Sequence, residues 1–176
     1  MYKRQGLSNS SFVPTDYRIQ KGDRIIDEIE AKYCGYAAQA VCPVVIGMPD
    51  DEYQKMIDIS RACFDAILGG MKPGVTFGTL FEVYKRTVEE QGKGKYLWNH
   101  PMMHARGLGD DGPALLGDED LERFSKIELQ TGMTFILKPQ VRPVQGKGRA
   151  SLGDTVTVTE GGARRLGKRE LRLIVK

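Results

Sequence analysis

The chain carries two histidines, four residues apart in His100-Pro101-Met102-Met103-His104-Ala105-Arg106-Gly107-Leu108-Gly109. Imidazole moves protons near neutral pH and is the commonest metal ligand. A chain whose histidines share one Gly-punctuated segment therefore has a candidate site there. Loop residues without a chemical role are the plain alternative, because short motifs also match by chance.

Several elements must position this stretch. Residues 23–31 and 36–46 read as two strands about the turn Lys32-Tyr33-Cys34-Gly35, with Gly35 available for a positive φ. A hairpin centred on Tyr33-Cys34 places Glu28 opposite Gln39 on one face. Asp50 is expected to cap a helix with Asp51 and Glu52 in its first turn. Tyr53, Met56, Ile57, Ser60, Phe64, Ile67 and Leu68 follow at i, i+3, i+4 spacing as its core stripe, and Gly69-Gly70 ends it. Thr76 caps a second helix that buries Phe77, Leu80, Phe81, Tyr84 and Val88 and stops at Gly92. Residues 121–128 fit a short helix or an extended connection. Residues 133–137 read as a strand ended by Lys138-Pro139, residues 155–159 as a half-buried strand and residues 171–175 as a closing strand. Hairpin, two helices and then strands make an α+β domain, with helices on one face of an antiparallel-rich sheet.

The 176 residues suit one domain with a real core. Net charge is +3, from 26 Lys and Arg against 23 Asp and Glu, and the charges are interspersed. The C-terminal cations Arg164, Arg165, Lys168, Arg169, Arg172 and Lys176 alternate with apolar residues. They read as the solvated face of a last strand, so no nucleic-acid partner is expected. Three cysteines without a CxxC pair argue against a disulfide framework and fit a reducing cytoplasm. No apolar run approaches the length of a membrane span, so no membrane partner is expected. Met1-Tyr2-Lys3-Arg4-Gln5 reads as the translation of a sequencing adapter, an assembly scar. The domain is then residues 6–176, the C-terminal part of a longer protein.

Five segments together resemble one family, the pita-bread metallopeptidases: methionine aminopeptidase, aminopeptidase P, prolidase and the metal-free creatinase. They are Gly22 through Glu28 to Tyr36, Met71-Lys72-Pro73-Gly74, His100 to His104 with Gly107-Leu108, Gly132 to Pro139, and Asp154 to Gly161. The resemblance implies the pita-bread fold, incomplete here at its N-terminus, and a homodimer. It also implies a centre of two divalent cations that activate a water between them.

Carried over one at a time, the family's five ligand positions fall on Glu28, Gln39, His104, Lys138 and Gly153. Glu28 is a carboxylate one methylene longer than the family's Asp. Gln39 is neutral, His104 is unchanged, Lys138 is a cation, and Gly153 has no side chain. Asp154 is adjacent to Gly153, and adjacent strand residues point to opposite faces. An ammonium pointing into a two-metal centre is strongly repelled. The expectation is therefore no metal, with Glu28 paired to Lys138 and Gln39 bonded to either.

Three readings follow. The first is a metal-free hydrolase or lyase acting on a small C–N or related bond. His104 or His100 would be its acid–base and Glu28 would set the imidazole. Lys138, Gln39, Arg106 and Asp111 would hold a small molecule or short peptide, with Lys138 and Arg106 suited to a carboxylate. The second is a pseudo-enzyme that binds a ligand or partner without turnover. The third is an active Xaa-Pro peptidase with an unusual set of manganese, cobalt or zinc. His100 matches the family's substrate-side histidine, whereas Asp111 replaces a further family histidine.

Overall fold

The computed structural model describes residues 2–4, 16–100, 102–109, 112–115 and 117–176, the first three as backbone only. Asp111 and residues 6–15 lie outside the described residues, as do Met1 and Gln5 of the suspected scar.

A short strand β1 (Tyr2–Arg4) lies along β2 (Arg24–Tyr33), which turns into β3 (Tyr36–Val45). Both turn residues have positive φ, Cys34 at 48° and Gly35 at 81°, as a two-residue type I′ turn demands. Tyr33 consequently pairs with Tyr36, Glu30 with Gln39 and Glu28 with Val41. The turn is thus one residue later than the sequence reading placed it, and the pairing shifts by two. The expected direct pairing of Glu28 with Gln39 is corrected, yet an even shift keeps both on one face.

The helices follow their caps. The Asp50 side chain accepts from the Tyr53 amide and starts α1 (Asp51–Gly70). The Thr76 hydroxyl accepts from the Thr79 amide and starts α2 (Phe77–Gly92), which ends at Lys93 in the left-handed region. Every apolar residue named for α2's buried side is buried. In α1 the buried stripe also takes in Ile59 and Cys63, and burial pushes the Cys63 thiol up to about 12. Burial tends to raise the Asp50 carboxyl, but the Tyr53 amide and the Arg24 guanidinium outweigh it and hold it below its usual 3.8. A depressed folded value stabilises above the unfolded one and is lost as pH falls through it. Asp50→Ala is expected to cost about 1 kcal/mol at pH 7. In urea melts that penalty should shrink as the pH falls below 3.8.

The remaining elements are β4 (Tyr96–Asn99), β5 (Met103–Ala105), β6 (Ala114–Leu115), α3 (Asp118–Phe124), β7 (Thr134–Leu137), β8 (Gln140–Pro143), β9 (Ala150–Ser151), β10 (Gly153–Thr159), β11 (Gly162–Arg165) and β12 (Ile174–Val175). The main sheet runs β1-β2-β3-β10-β7-β5-β6, with β11 beside β10 and β12 parallel to β3. A second sheet is β4-β8-β9. The closing strand covers only Ile174–Val175 rather than all of residues 171–175. Arg165 and Arg169 also depart from a solvated face. Arg165 Nε lies 3.5 Å from Asp154 Oδ2. Arg169 Nη2 donates to the carbonyls of Val41 (3.0 Å) and Gly153 (2.6 Å). Desolvation raises the Asp154 carboxyl against the pull of Thr155, Arg169 and Arg165.

The main core lies between α1, α2 and one face of the sheet, through Met103, Phe135, Leu137, Val156 and Val158. The opposite face carries a small cluster of Ile26, Val41 and Ile136. No helix is long and apolar enough to cross a membrane among the described residues.

Candidate functional site

Strand register assigns that second face residue by residue, because directly opposed residues of an antiparallel pair point the same way. Glu28 opposes Val41, and Val41 opposes Gly153. One residue before the pair Asp154 and Leu137, Gly153 lies level with Lys138. Glu28, Val41, Gly153 and Lys138 therefore form one row. The neighbouring row holds Glu30 and Gln39, then Thr155, Ile136 and His104. All five family ligand positions thus share the helix-free face.

Side chains close over this face. Lys138 Nζ lies 3.3 Å from Glu28 Oε2, although β3 and β10 separate β2 from β7. Arg106 Nη2 lies 2.7 Å from Glu30 Oε2, across one strand more. A flat sheet would hold those backbones about 14 and 19 Å apart, so the sheet curls into a concave wall. Glycine at 153 keeps the floor low enough for Glu28 and Lys138 to meet above it. A Cβ at Gly153 would come within 2.4 Å of the Leu137 carbonyl, 2.7 Å of Lys138 Cβ and 2.9 Å of Lys138 Cα. Two of those three atoms are backbone. Closure of β7 onto β10 thus removes the space for the side chain that the family carries here.

The backbone around Lys138 is pinned on every side. Its amide donates to Met102 O at 2.8 Å and its carbonyl accepts from Ser151 Oγ at 3.2 Å. Ser60 Oγ donates to Pro139 O at 2.8 Å. The Tyr84 hydroxyl joins Gln140 to Asn99, accepting from both amides. Burial raises that phenol well above its usual value. Beyond the pair of Ala40 with Asp154, strands β3 and β10 separate. The Thr155 hydroxyl fills the gap, accepting from Gln39 N–H and donating to Gln39 O, both at 2.8 Å.

Gln39 is buried, and its Nε2 donates to Glu28 Oε2 at 3.3 Å. His104 Nδ1 lies 3.1 Å from Ala105 O. A carbonyl only accepts, so this contact suits the tautomer with the proton on Nδ1. His100 has different surroundings. Its ring stacks on Phe81 at 5.9 Å and meets Trp98 edge-on at 5.2 Å, with Nε2 3.3 Å from Asp118 Oδ1. The two cations expected to suit a carboxylate, Lys138 and Arg106, each have a carboxylate of the chain beside them, Glu28 and Glu30. Glu30 was missed, although it stands two residues from Glu28 and so shares its face.

The donor set does not fit a two-metal centre. Of the five positions only Glu28 and His104 offer the carboxylate or imidazole such cations take, and an ammonium lies between the walls. Among the described residues, no three of His, Cys, Asp and Glu are placed to hold a metal ion.

Comparison with known proteins agrees with the sequence resemblance. The pattern of metallopeptidase family M24 matches residues 7–160. An Xaa-Pro dipeptidase of Pyrococcus horikoshii is 26% identical over 163 residues, 92% of this chain and 44% of that protein. An agropine synthesis cyclase of Rhizobium rhizogenes is 34% identical over 131 residues, 73% of this chain and 31% of that protein. The chain thus spans less than half the length of these relatives. The crystal structure of an X-Pro aminopeptidase from Thermotoga maritima superposes with a TM-score of 0.82 at 24% identity. It covers 100% of this chain and 48% of its own.

Proposed function

Since this chain belongs to metallopeptidase family M24, with the pita-bread fold of its structural neighbours, we propose that it works on the family's concave face without the metal pair. The observation that carries this reading is the ammonium of Lys138, 3.3 Å from Glu28 in the row of ligand positions. A fixed organic cation stands where the family's chemistry calls for metal charge. The ligand is a small molecule or a short peptide. His104 Nε2 takes the proton from the attacking group and returns it to the leaving atom. The nucleophile adds to the carbonyl carbon, the Lys138 ammonium faces the negative charge that develops on the carbonyl oxygen, and the C–N bond then breaks as the leaving nitrogen takes the proton. Gln39 and Glu28 orient the ammonium, and Arg106 lines the far side of the face. His100 as the alternative acid–base and Asp111 as a ligand-binding residue belong to the same proposal. So do a homodimeric state and a cytoplasmic location without nucleic-acid or membrane partners.

The relative named as a cyclase favours a second form of this chemistry, in which a nucleophile within the ligand attacks and closes a ring. Such a reaction gains from holding the two reacting groups together, which a narrow concave face does well.

Turnover of Xaa-Pro dipeptides, measured with EDTA and with added manganese, cobalt or zinc, tests the reading. The expected result is no activation by any metal, and no metal-induced rise in the melting temperature. Metal-dependent hydrolysis would overturn it in favour of an active peptidase. Ligand binding unaffected by His104→Gln, with no turnover of any substrate, would favour a non-catalytic binding module.

A further inference from the structure

The outer edge of β2 is covered only in part. Strand β1 pairs with Ile25, Ile26 and Asp27, and among the described residues no strand pairs with that edge from Glu28 to Tyr33. Residues 29–33 are all exposed, Ile29 at 50% and Tyr33 at 83%. Natural edge strands escape pairing through bulges, prolines or charges. Here the ladder with β3 runs unbroken from Arg24 to Tyr33, without a bulge, and β2 holds no proline. A lysine, Lys32, does stand on the exposed stretch, but with Glu30 two positions before it.

Backbone and charge together select one way to cover this edge with a second β2. The two-residue turn makes Tyr33 and Tyr36 a pair that exchanges both hydrogen bonds. Alternation then turns the amides and carbonyls of Ala31 and Ile29 toward β3, and those of Lys32, Glu30 and Glu28 outward. Two antiparallel copies must set outward residues opposite outward residues. Centred on Glu28, Glu30 or Lys32, that residue opposes its own copy, and centred on Ile29, Glu28 opposes Glu30. Each of these sets like charges together, which destabilises. A centre at Tyr33 sets the turn against the strand. Centred on Ala31, Glu30 opposes the partner's Lys32 and Ile29 opposes the partner's Tyr33, each twice by symmetry. Opposite charges and aromatic–β-branched pairs both favour pairing.

We infer that β2 pairs with β2 of a second copy about a twofold axis at Ala31, joining the two main sheets into one. The inference deepens the homodimeric state proposed above by naming its surface. Glu30 already faces Arg106 through Oε2 at 2.7 Å and its own Lys32 through Oε1 at 3.5 Å. Exchanging that exposed second contact for the partner's Lys32 costs little. One short strand pair is smaller than a standard interface, so the expected Kd is on the order of 0.1 mM.

Sedimentation equilibrium of the chain up to about 1 mM, well above that Kd, tests it. Lys32→Glu sets a carboxylate against the partner's Glu30 and is expected to weaken association about tenfold or more. Lys32→Pro removes an amide that points outward, where edge strands tolerate proline. It should abolish association and leave the melting temperature near that of wild type. Ala31→Cys is made in a chain whose exposed Cys34 is changed to Asn. It should oxidise to a disulfide-linked dimer, because a non-hydrogen-bonded pair sets its Cα atoms about 4.5 Å apart. Cys34 in the wild-type chain should stay unlinked, since this register holds it about 20 Å from the partner's Cys34.

Should both Lys32 variants fail to fold, Tyr33→Ser changes a side chain 83% exposed and removes the contact with the partner's Ile29, so it should weaken association too. A dimer that the folded variants leave intact, or one that links through Cys34 and not through the thiol at position 31, overturns this inference alone. A chain that stays monomeric throughout overturns the homodimeric reading with it.

Discussion

Lys138→Met is expected to cost the fold about 3 kcal/mol, because it removes the ammonium that faces Glu28 on a largely covered face. The Lys138 side chain is 6% exposed and that of Glu28 19%, so water does little to compensate the carboxylate left behind. Methionine fills most of the volume, which confines the loss to charge. Glu28→Leu alone should also destabilise, by removing a carboxylate from beside the buried ammonium. The double variant should come close to wild type, since two apolar residues of similar size often replace a buried pair at little cost. Urea melts of the four proteins give a coupling energy, expected at about 2 kcal/mol. A loss below about 0.5 kcal/mol for Lys138→Met would mean the pair contributes no more than a surface contact.

Gly153→Glu restores the family's carboxylate and is expected to destabilise by about 3 kcal/mol or to prevent folding. The new Cβ meets the Leu137 carbonyl at 2.4 Å and the Lys138 Cα at 2.9 Å. Neither atom can swing away like a side chain tip, because the segment is pinned through Met102, Ser151, Ser60 and Tyr84. Changing Lys138 to Glu in the same chain should not rescue folding, since every residue but glycine keeps the clashing Lys138 Cβ position. Gly117→Ala is the control, with nothing within 4 Å of its added Cβ. It should stay within about 0.5 kcal/mol of wild type. A stable Gly153→Glu protein would show that β7 and β10 separate easily.

Much of this was legible in the sequence. Asp50 and Thr76 announced their helices because a cap is a local bond between a side chain and an amide three residues on. The Glu28 and Lys138 contact followed from matching five ligand positions, a long-range relation that composition alone does not carry. The hairpin register failed by two because turns at Tyr33-Cys34 and Cys34-Gly35 suit the same residues. Only the backbone angles choose between them. Strands β8 and β9 were missed, being four and two residues long, too short to show alternation. Arg165 and Arg169 looked like surface charge. Their partners, Asp154 and two backbone carbonyls, come from strands distant in sequence. Glu30 matches no ligand position of the family, and its contact with Arg106 comes from the curl of the sheet, which no local pattern carries.

Metal content tests the central claim most directly. The chain, expressed in medium supplemented with manganese, cobalt and zinc and dialysed mildly, is measured by elemental analysis. The account predicts far less than one metal ion per chain, and no change in that figure for Lys138→Met. Close to two ions per chain would contradict it, and would mean that Lys138 leaves the face when the cations arrive.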